Sequence, residues 1–146
     1  LVVFGSFGRI WASLYIEGNK TKNLVTSGPF SMVRNPLYFF SLIMLLGFSL
    51  ALKAIYLPLA LLLIFVIFHI PTIANEERKL RKNHGDKFES YMKSTPRLIP
   101  NIFKYKRPET GEKVSVKISR INGVLIEVIG YLFLYTLIDI IYFILD

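Results

Sequence analysis

Four long apolar runs constrain this chain more than any other feature of its sequence. They cover residues 1–16, 36–52, 54–70 and 124–145. The second and third runs, 17 residues each, would reach roughly 25 Å as α-helices, close to the roughly 30 Å thickness of a bilayer core. We therefore predict an all-α fold, an integral membrane helical bundle of about four hydrophobic helices that forms one domain over residues 1–146.

The first run has a face of small residues. Gly5, Gly8 and Ala12 recur three and four residues apart, and small residues let helices approach closely in lipid. The run is already apolar at Leu1, so we expect part of an upstream span to be missing from this chain.

The residue types that the chain lacks exclude several kinds of site. There is no cysteine, which excludes disulfides and thiolate metal sites. With only two histidines, His69 and His84, a histidine-rich metal site is excluded as well.

The basic residues lie on one side of the predicted fold. The formal net charge is +8, and residues 17–35 and 78–120 hold 3 and 13 of the 18 lysines and arginines. Only Lys53 separates 36–52 from 54–70, which predicts a tight helical hairpin with both basic segments at one membrane face. The positive-inside rule assigns that face to the cytoplasm, where the charge favours anionic membrane lipids; we expect no nucleic-acid partner.

Residues 74–92 have the pattern of an amphipathic helix at the same face. Gly85 weakens its middle, and Pro96 and Pro100 are expected to end it. Its apolar side follows helical spacing and consists of Leu80, His84, Phe88 and Tyr91.

The start of the second apolar run carries the first candidate site. Asn35-Pro36 predicts a helix start, with Asn35 as the N-cap and Pro36 at the first helical position. Unpaired N–H groups at such a start, beside Arg34, favour an anion such as the carboxylate of a small cofactor. The alternative is structural, with Arg34 as a flanking charge and Tyr38 as an interfacial aromatic.

Glu76-Glu77 forms the second candidate site. The predicted hairpin brings these acids to the same face as Arg34 and Asn35, where they can hold a ligand cation. The alternative is a solvated first turn of the 74–92 helix, where acids suit the helix dipole. Taken together, the two sites suit a zwitterionic ligand with an apolar part.

The order of these motifs resembles the isoprenylcysteine carboxyl methyltransferase family, which is related to membrane phospholipid N-methyltransferases. The segments that carry the resemblance are Leu24-Val25-Thr26-Ser27-Gly28-Pro29-Phe30, Arg34-Asn35-Pro36-Leu37-Tyr38, Glu76-Glu77, and then Gly85, Phe88, Tyr91 and Pro96-Arg97-Leu98-Ile99-Pro100. The resemblance covers about residues 20–100 and implies an all-helical membrane enzyme that uses S-adenosylmethionine.

The resemblance also implies which residues form the site. Arg34 and Glu77 are the expected catalytic residues. The expected cofactor-binding residues are Lys22, Asn23, Leu24, Val25, Phe30, Asn35, Pro36, Leu37, Tyr38 and Glu76.

Two positions depart from the family pattern. Asn35 replaces a histidine and cannot titrate near neutral pH. Thr72 stands where enzymes that act on prenylcysteine have an arginine, so an acceptor carboxylate loses its expected cation there.

The predicted function is transfer of the sulfonium methyl group to a lipophilic small molecule or lipidated substrate that enters from the bilayer, at a site facing the cytoplasm. One alternative acceptor is a phospholipid amine. Further alternatives are an NADPH-dependent membrane enone or sterol reductase, and a membrane interaction protein without enzymatic activity.

Overall fold

The chain folds into helices joined by short connections. The computed structural model describes residues 1–17, 23–51, 56–108 and 118–145. In chain order its helices are α1 (Val2–Glu17), α2 (Pro29–Met32), α3 (Pro36–Ala51), α4 (Tyr56–His84), α5 (Asp86–Ser94) and α6 (Ile118–Leu145), with a 3-10 turn at Ile102–Lys104 before α6. The described residues contain no β-strand, only one isolated bridge between Gly28 and Lys106. The predicted all-α fold is confirmed.

Helices α1 and α3 pack closely and antiparallel, through glycines. A Cβ atom built on Gly5 would lie 2.8 Å from the Phe40 carbonyl oxygen, and one built on Gly8 would overlap the Phe40 ring. A Cβ atom on Gly47, near the other end of α3, would lie 2.8 Å from Val2. The predicted small face of the first apolar run is therefore a confirmed helix contact.

In the part of the chain that the structure describes, α4 is the helix that is long and apolar enough to span a membrane. It has 29 residues, and its most apolar 18-residue window is only 11% buried inside the fold, unlike the core helix of a soluble protein. At 1.5 Å per residue it reaches about 43 Å, so its basic last turn extends beyond a bilayer core of about 30 Å.

The other apolar helices of the described chain are shorter. Their apolar parts are Val2–Ile16, Pro36–Ala51 and Val128–Ile141. Membrane association is supported by α4, whereas a bundle of four spanning helices stays a prediction.

The prediction of a separate amphipathic helix over residues 74–92 is wrong. Helix α4 continues through Pro71 to His84, since membrane helices tolerate a proline where neighbouring turns remain hydrogen bonded. As a result, Glu76 and Glu77 lie well inside a long helix and not in the first turn of a new one.

The chain bends instead at Gly85. Its φ of +50° lies in the left-handed region that glycine adopts without strain. Helix α5 then runs to Ser94 and stops because Thr95 is extended in front of Pro96. This bend folds α5 back so that Phe88 and Tyr91, two residues of the predicted apolar side, become buried.

The remaining helix, α6, begins at Ile118, six residues before the predicted fourth run. It packs on α1 and α3, where Phe48 lies 5.6 Å from the Tyr131 ring and 6.1 Å from the Tyr135 ring between centroids. Asp139 of this helix is exposed. Lys53, the predicted hairpin turn, lies outside the described residues.

Candidate functional site

Glu77 joins the start of α3 to α4 and to the chain that follows α5. Its Oε1 accepts a hydrogen bond from the Asn35 side-chain nitrogen at 3.2 Å and lies 3.3 Å from the Arg34 Nε. Its Oε2 lies 3.1 Å from the Arg97 Nε. Neither Nε is aligned for a hydrogen bond, so charge attraction holds the arginines. The Glu77 and Arg34 side chains are only 12% and 11% exposed, so this pair is largely removed from water, whereas the Arg97 side chain is 38% exposed.

The Asn35 side-chain amide connects the start of α3 to α4 and to the chain after α5. Besides Glu77, its nitrogen donates to the Arg97 carbonyl oxygen at 3.0 Å, while its own carbonyl accepts the Phe39 N–H at 3.1 Å as the first backbone bond of α3. Since Asn35 is only 9% exposed, these bonds satisfy a buried amide.

Helix α5 and the segment after it close over the chain that leads into α3. The Tyr91 hydroxyl donates a 2.6 Å hydrogen bond to the Phe30 carbonyl oxygen, and the Arg34 N–H donates to the Pro96 carbonyl oxygen at 2.8 Å. Burial raises the pKa of the Tyr91 phenol, the nearby Arg34 opposes that rise and Glu77 adds to it. The phenol therefore remains a donor throughout the physiological pH range.

These contacts border a partly open cavity of about 200 Å³ between the chain before α3 and helices α3, α4 and α5. Its lining residues are Ile16, Asn23, Leu24, Val25, Phe30, Arg34, Asn35, Pro36, Leu37, Tyr38, Glu76, Leu80, Asn83, His84 and Tyr91. The wall combines a cation and the first turn of a helix with a carboxylate and several apolar side chains.

Tyr38 and Glu76 form the edge of this cavity. The Tyr38 hydroxyl donates to the Glu76 carboxylate at 3.0 Å. The Tyr38 ring lies edge-on to His69, with centroids 5.5 Å apart, and His69 stacks on Phe65 at 4.2 Å. Since Glu76 is exposed, its carboxylate stays open to a ligand.

A larger cleft of about 840 Å³ lies on the other side of this edge. The cavity and the cleft share Ile16, Leu37, Tyr38, Glu76 and Leu80. The rest of the cleft wall combines polar and charged side chains, among them Arg9 and Lys79, with the apolar side chains of Met44, Phe48 and Phe65. Two adjoining spaces therefore meet at one tyrosine–glutamate pair.

Nearly all of the predicted site residues line the cavity. The ones that do are Asn23, Leu24, Val25, Phe30, Arg34, Asn35, Pro36, Leu37, Tyr38 and Glu76. Lys22 lies outside the described residues. Within the described part of the chain Glu77 is not a lining residue, and its carboxylate instead pairs with Arg34, Arg97 and Asn35.

Sequence reasoning did not assign Leu80, Asn83, His84, Tyr91 or Ile16 to the site. The first three follow Glu76 at four, seven and eight residues, which is one face of a single helix. That signal becomes readable only when α4 is known to continue through Pro71.

The described residues contain no group of three or more histidines, aspartates or glutamates placed to hold a metal ion. The chain is 33% identical over 109 residues to the nickel-cobalt-cadmium resistance protein NccN of Alcaligenes xylosoxydans xylosoxydans, over 75% of this chain and 51% of that protein. It is 34% identical over 109 residues to the cobalt-zinc-cadmium resistance protein CzcN of Cupriavidus metallidurans, over 75% of this chain and 50% of that protein.

The chain thus spans about half the length of the curated relatives it matches. No solved structure matches it. The model of one protein family, phospholipid methyltransferase, matches residues 2–87, from the start of α1 to the start of α5. That match takes in α3, α4 and most of the cavity wall, and it covers more than half of the sequence: the chain belongs to the phospholipid methyltransferase family.

Proposed function

We propose that the protein is an S-adenosylmethionine-dependent membrane methyltransferase that acts on a lipophilic acceptor, in the manner of isoprenylcysteine carboxyl methyltransferases. The observation that carries the proposal is the cavity at which Arg34, Asn35 and Glu76 converge beside apolar walls. Family membership supports the chemistry, and the apolar, largely unburied α4 supports a location in the membrane.

The residues present fit the parts of S-adenosylmethionine. The first turn of α3 with Arg34 suits the carboxylate, because free backbone N–H groups and a cation favour an anion. The exposed Glu76 suits the ammonium group or a ribose hydroxyl. Phe30 and Leu24 offer apolar surface to the adenine.

When bound, the cofactor supplies a methyl group activated by the sulfonium. The chain aligns the reacting groups and excludes water, which are the main requirements of an in-line methyl transfer. In this proposal Glu77 and Arg34 act as a positioning pair: together with Arg97 they fix the start of α3 against α4. Tyr38 and Glu76 stand at the edge where donor and acceptor meet.

We further propose that the site faces the cytoplasm and that membrane lipids contact the segment after α5. This segment exposes Ile99, Ile102 and Phe103, with Phe103 94% exposed, next to Lys104 and Lys106. Apolar side chains beside cations suit an interface of acyl chains and anionic headgroups.

Binding of S-adenosylmethionine to the purified chain in detergent tests the proposal, and unlabelled NADPH serves as the competitor that a reductase would prefer. We expect Glu76→Gln to weaken binding about tenfold or more, as for the loss of a charge-assisted hydrogen bond. Glu89→Gln is the matched control, because Glu89 pairs with Arg81 away from the cavity wall. The proposal would be overturned if the folded protein did not bind S-adenosylmethionine, or if NADPH displaced the bound label and unlabelled S-adenosylmethionine did not.

A phospholipid amine is the second candidate acceptor, and the family match favours it. Incubation with labelled methyl donor and a lipid extract separates the two acceptors. A base-labile label identifies a methyl ester, whereas a base-stable label in the phospholipid fraction identifies N-methylation.

A further inference from the structure

A polar pocket of about 410 Å³ lies between α2, the C-terminal end of α5 and the chain that follows the 3-10 turn. In the described chain it shares only Tyr91 with the cavity and no residue with the cleft. None of its lining residues is acidic, and the ones with a positive charge or an aliphatic hydroxyl group are Thr26, Ser31, Ser94, Thr95, Lys104 and Lys106. The composition of this wall favours an anion.

The backbone of Lys106 is fixed at the pocket wall from both sides. Its N–H donates to the Ser31 hydroxyl oxygen at 2.8 Å, and its carbonyl oxygen accepts the Gly28 N–H at 2.8 Å. The Ser31 hydroxyl donates in turn to the Gly28 carbonyl oxygen at 2.6 Å. The Lys106 side chain itself is exposed, so its ammonium group is accessible to a ligand.

The end of α5 adds hydrogen-bond donors to the same wall. The Lys104 ammonium group donates to the Ser94 carbonyl oxygen, which leaves two of its three donors for a ligand. Thr95 is only 6% exposed, and its hydroxyl oxygen lies 3.4 Å from that of Ser94, farther than the roughly 2.5–3.0 Å of a normal O–H···O bond. Because the Ser94 hydroxyl already donates to the Tyr91 carbonyl oxygen at 3.1 Å, Thr95 is a buried donor without a close partner in the described chain.

Aromatic and apolar side chains place the pocket at the depth of lipid headgroups. Tyr105 lines the pocket, and its ring centroid lies 6.2 Å from that of Trp11 in α1. Tryptophan and tyrosine are enriched where a bilayer meets water. Phe103 also lines the pocket and is almost fully exposed, with the exposed Ile102 beside it. These apolar side chains suit the acyl chains of a lipid whose headgroup enters the pocket.

We propose that this pocket binds the phosphate group of an anionic phospholipid. Lys104 and Lys106 supply the positive charge, Thr95 donates a hydrogen bond, and Phe103 contacts an acyl chain. Hydrogen bonds between charged partners are roughly twice as strong as neutral ones. The assignment rests on the proposed lipid contact of the segment after α5 and gives that contact a defined site, but it does not depend on methyl transfer. Free phosphate offers the same anionic oxygens, whereas the exposed apolar side chains favour a lipid.

A pair of lipids that differ only in the phosphate group tests the assignment. Dioleoyl phosphatidic acid and dioleoylglycerol are compared as radiolabelled probes of the full chain in neutral detergent. We expect the wild-type chain to bind the phosphatidic acid about tenfold tighter than dioleoylglycerol, and Lys106→Gln to reduce that ratio below about threefold. Lys87→Gln is the matched control and should preserve the ratio, because it removes an equal charge from an exposed residue of α5 outside the pocket wall.

A second variant and a soluble competitor keep the test decisive. Thr95→Val removes only the buried hydroxyl group at nearly constant volume, so it should lower the ratio about threefold even where Lys106→Gln fails to fold. Glycerol 3-phosphate should displace labelled phosphatidic acid only at a concentration about a hundredfold or more above that of the unlabelled lipid, since it lacks the acyl chains. Displacement by both at equal concentration would identify a site for soluble phosphate and overturn the lipid assignment.

Equal affinity of the wild-type chain for the two lipids would also overturn the assignment, as would an unchanged ratio in folded Lys106→Gln or, where that variant does not fold, in Thr95→Val. Binding of S-adenosylmethionine is measured on the same samples and should be the same in the wild type and both variants. A phosphate preference in a chain that does not bind S-adenosylmethionine would overturn the methyltransferase proposal while supporting the phosphate site. Binding of S-adenosylmethionine without a phosphate preference would do the reverse.

Discussion

Replacement of Glu77 by glutamine probes the cluster that holds the site together. The change keeps the size and one oxygen acceptor of the side chain but removes the charge that Arg34 and Arg97 share. Loss of one partner from a buried ion pair costs about 3–5 kcal/mol, whereas an exposed pair is worth about 0–1 kcal/mol. The Arg34 side chain is 11% exposed, so in the variant its charge would stay buried without a partner and most of that cost would apply. The Arg97 side chain is 38% exposed and can be hydrated instead.

We therefore expect Glu77→Gln to lower the free energy of unfolding by about 2–4 kcal/mol, between the two limits. For a chain of this size that corresponds to a fall in Tm of about 5–15 °C. Thermal unfolding in detergent, followed by the fluorescence of the single tryptophan, Trp11, measures it.

Two glutamates serve as comparisons in the same assay. Glu89→Gln removes an exposed pair with Arg81, with side chains 43% and 55% exposed, and should change stability by about 1 kcal/mol at most. Glu76→Gln should leave Tm nearly unchanged while weakening the binding of S-adenosylmethionine. If Glu77→Gln melts at the same temperature as Glu89→Gln, the argument that the buried cluster stabilises the fold is refuted.

Three further outcomes follow from individual contacts. Gly8→Ala should destabilise the chain by about 1–3 kcal/mol, because the added methyl group would overlap α3. Gly130→Ala is the control and should be neutral or slightly stabilising, since nothing lies within 4 Å of the added methyl group. The Tm values of the two variants test this prediction. Tyr91→Phe should lower the free energy of unfolding by about 1–3 kcal/mol, because it leaves a buried carbonyl oxygen without a donor. Since folding raises the pKa of this phenol, the stability that the phenol contributes should persist below the unfolded pKa of about 10 and decline above it. Wild-type stability should therefore fall more steeply at high pH than that of Tyr91→Phe. Because the chain has no cysteine, a single introduced cysteine can be labelled specifically with an environment-sensitive dye. In nanodiscs, labelled Phe103→Cys should show a blue-shifted emission and labelled Lys87→Cys should not. Equal spectra would contradict a lipid contact of the segment after α5.

Local signals predicted the parts of the fold that depend on neighbouring residues. The Asn35-Pro36 start of α3 and its apolar run required only capping preferences and hydropathy. The small face of α1 required only helical spacing, since a glycine at every third or fourth position permits close packing whatever the partner is.

The parts that could not be predicted depend on contacts distant in sequence. Whether Pro71 ends a helix depends on whether the backbone carbonyl that it leaves without a donor finds another partner, and the sequence at that point favours either outcome. The same holds for Tyr91, whose buried partner is the Phe30 carbonyl oxygen, 61 residues away. Helical spacing identified Tyr91 as apolar-facing but could not identify the loop that it holds, nor the cavity that it closes.

Asn35 shows how a departure from the family pattern narrows the chemistry. Its amide nitrogen donates both to the Glu77 carboxylate and to the Arg97 carbonyl oxygen, so the donor capacity of the side chain is used in holding α3. Asparagine does not titrate near neutral pH, and an amide so engaged has no proton to move. In the proposed reaction, proton transfer therefore falls to the exposed Glu76 carboxylate, which is bonded to Tyr38 at the edge between the two spaces, or the acceptor arrives already deprotonated. A carboxylate acceptor would be in that reactive state at neutral pH without help from the protein, whereas an amine acceptor would need Glu76.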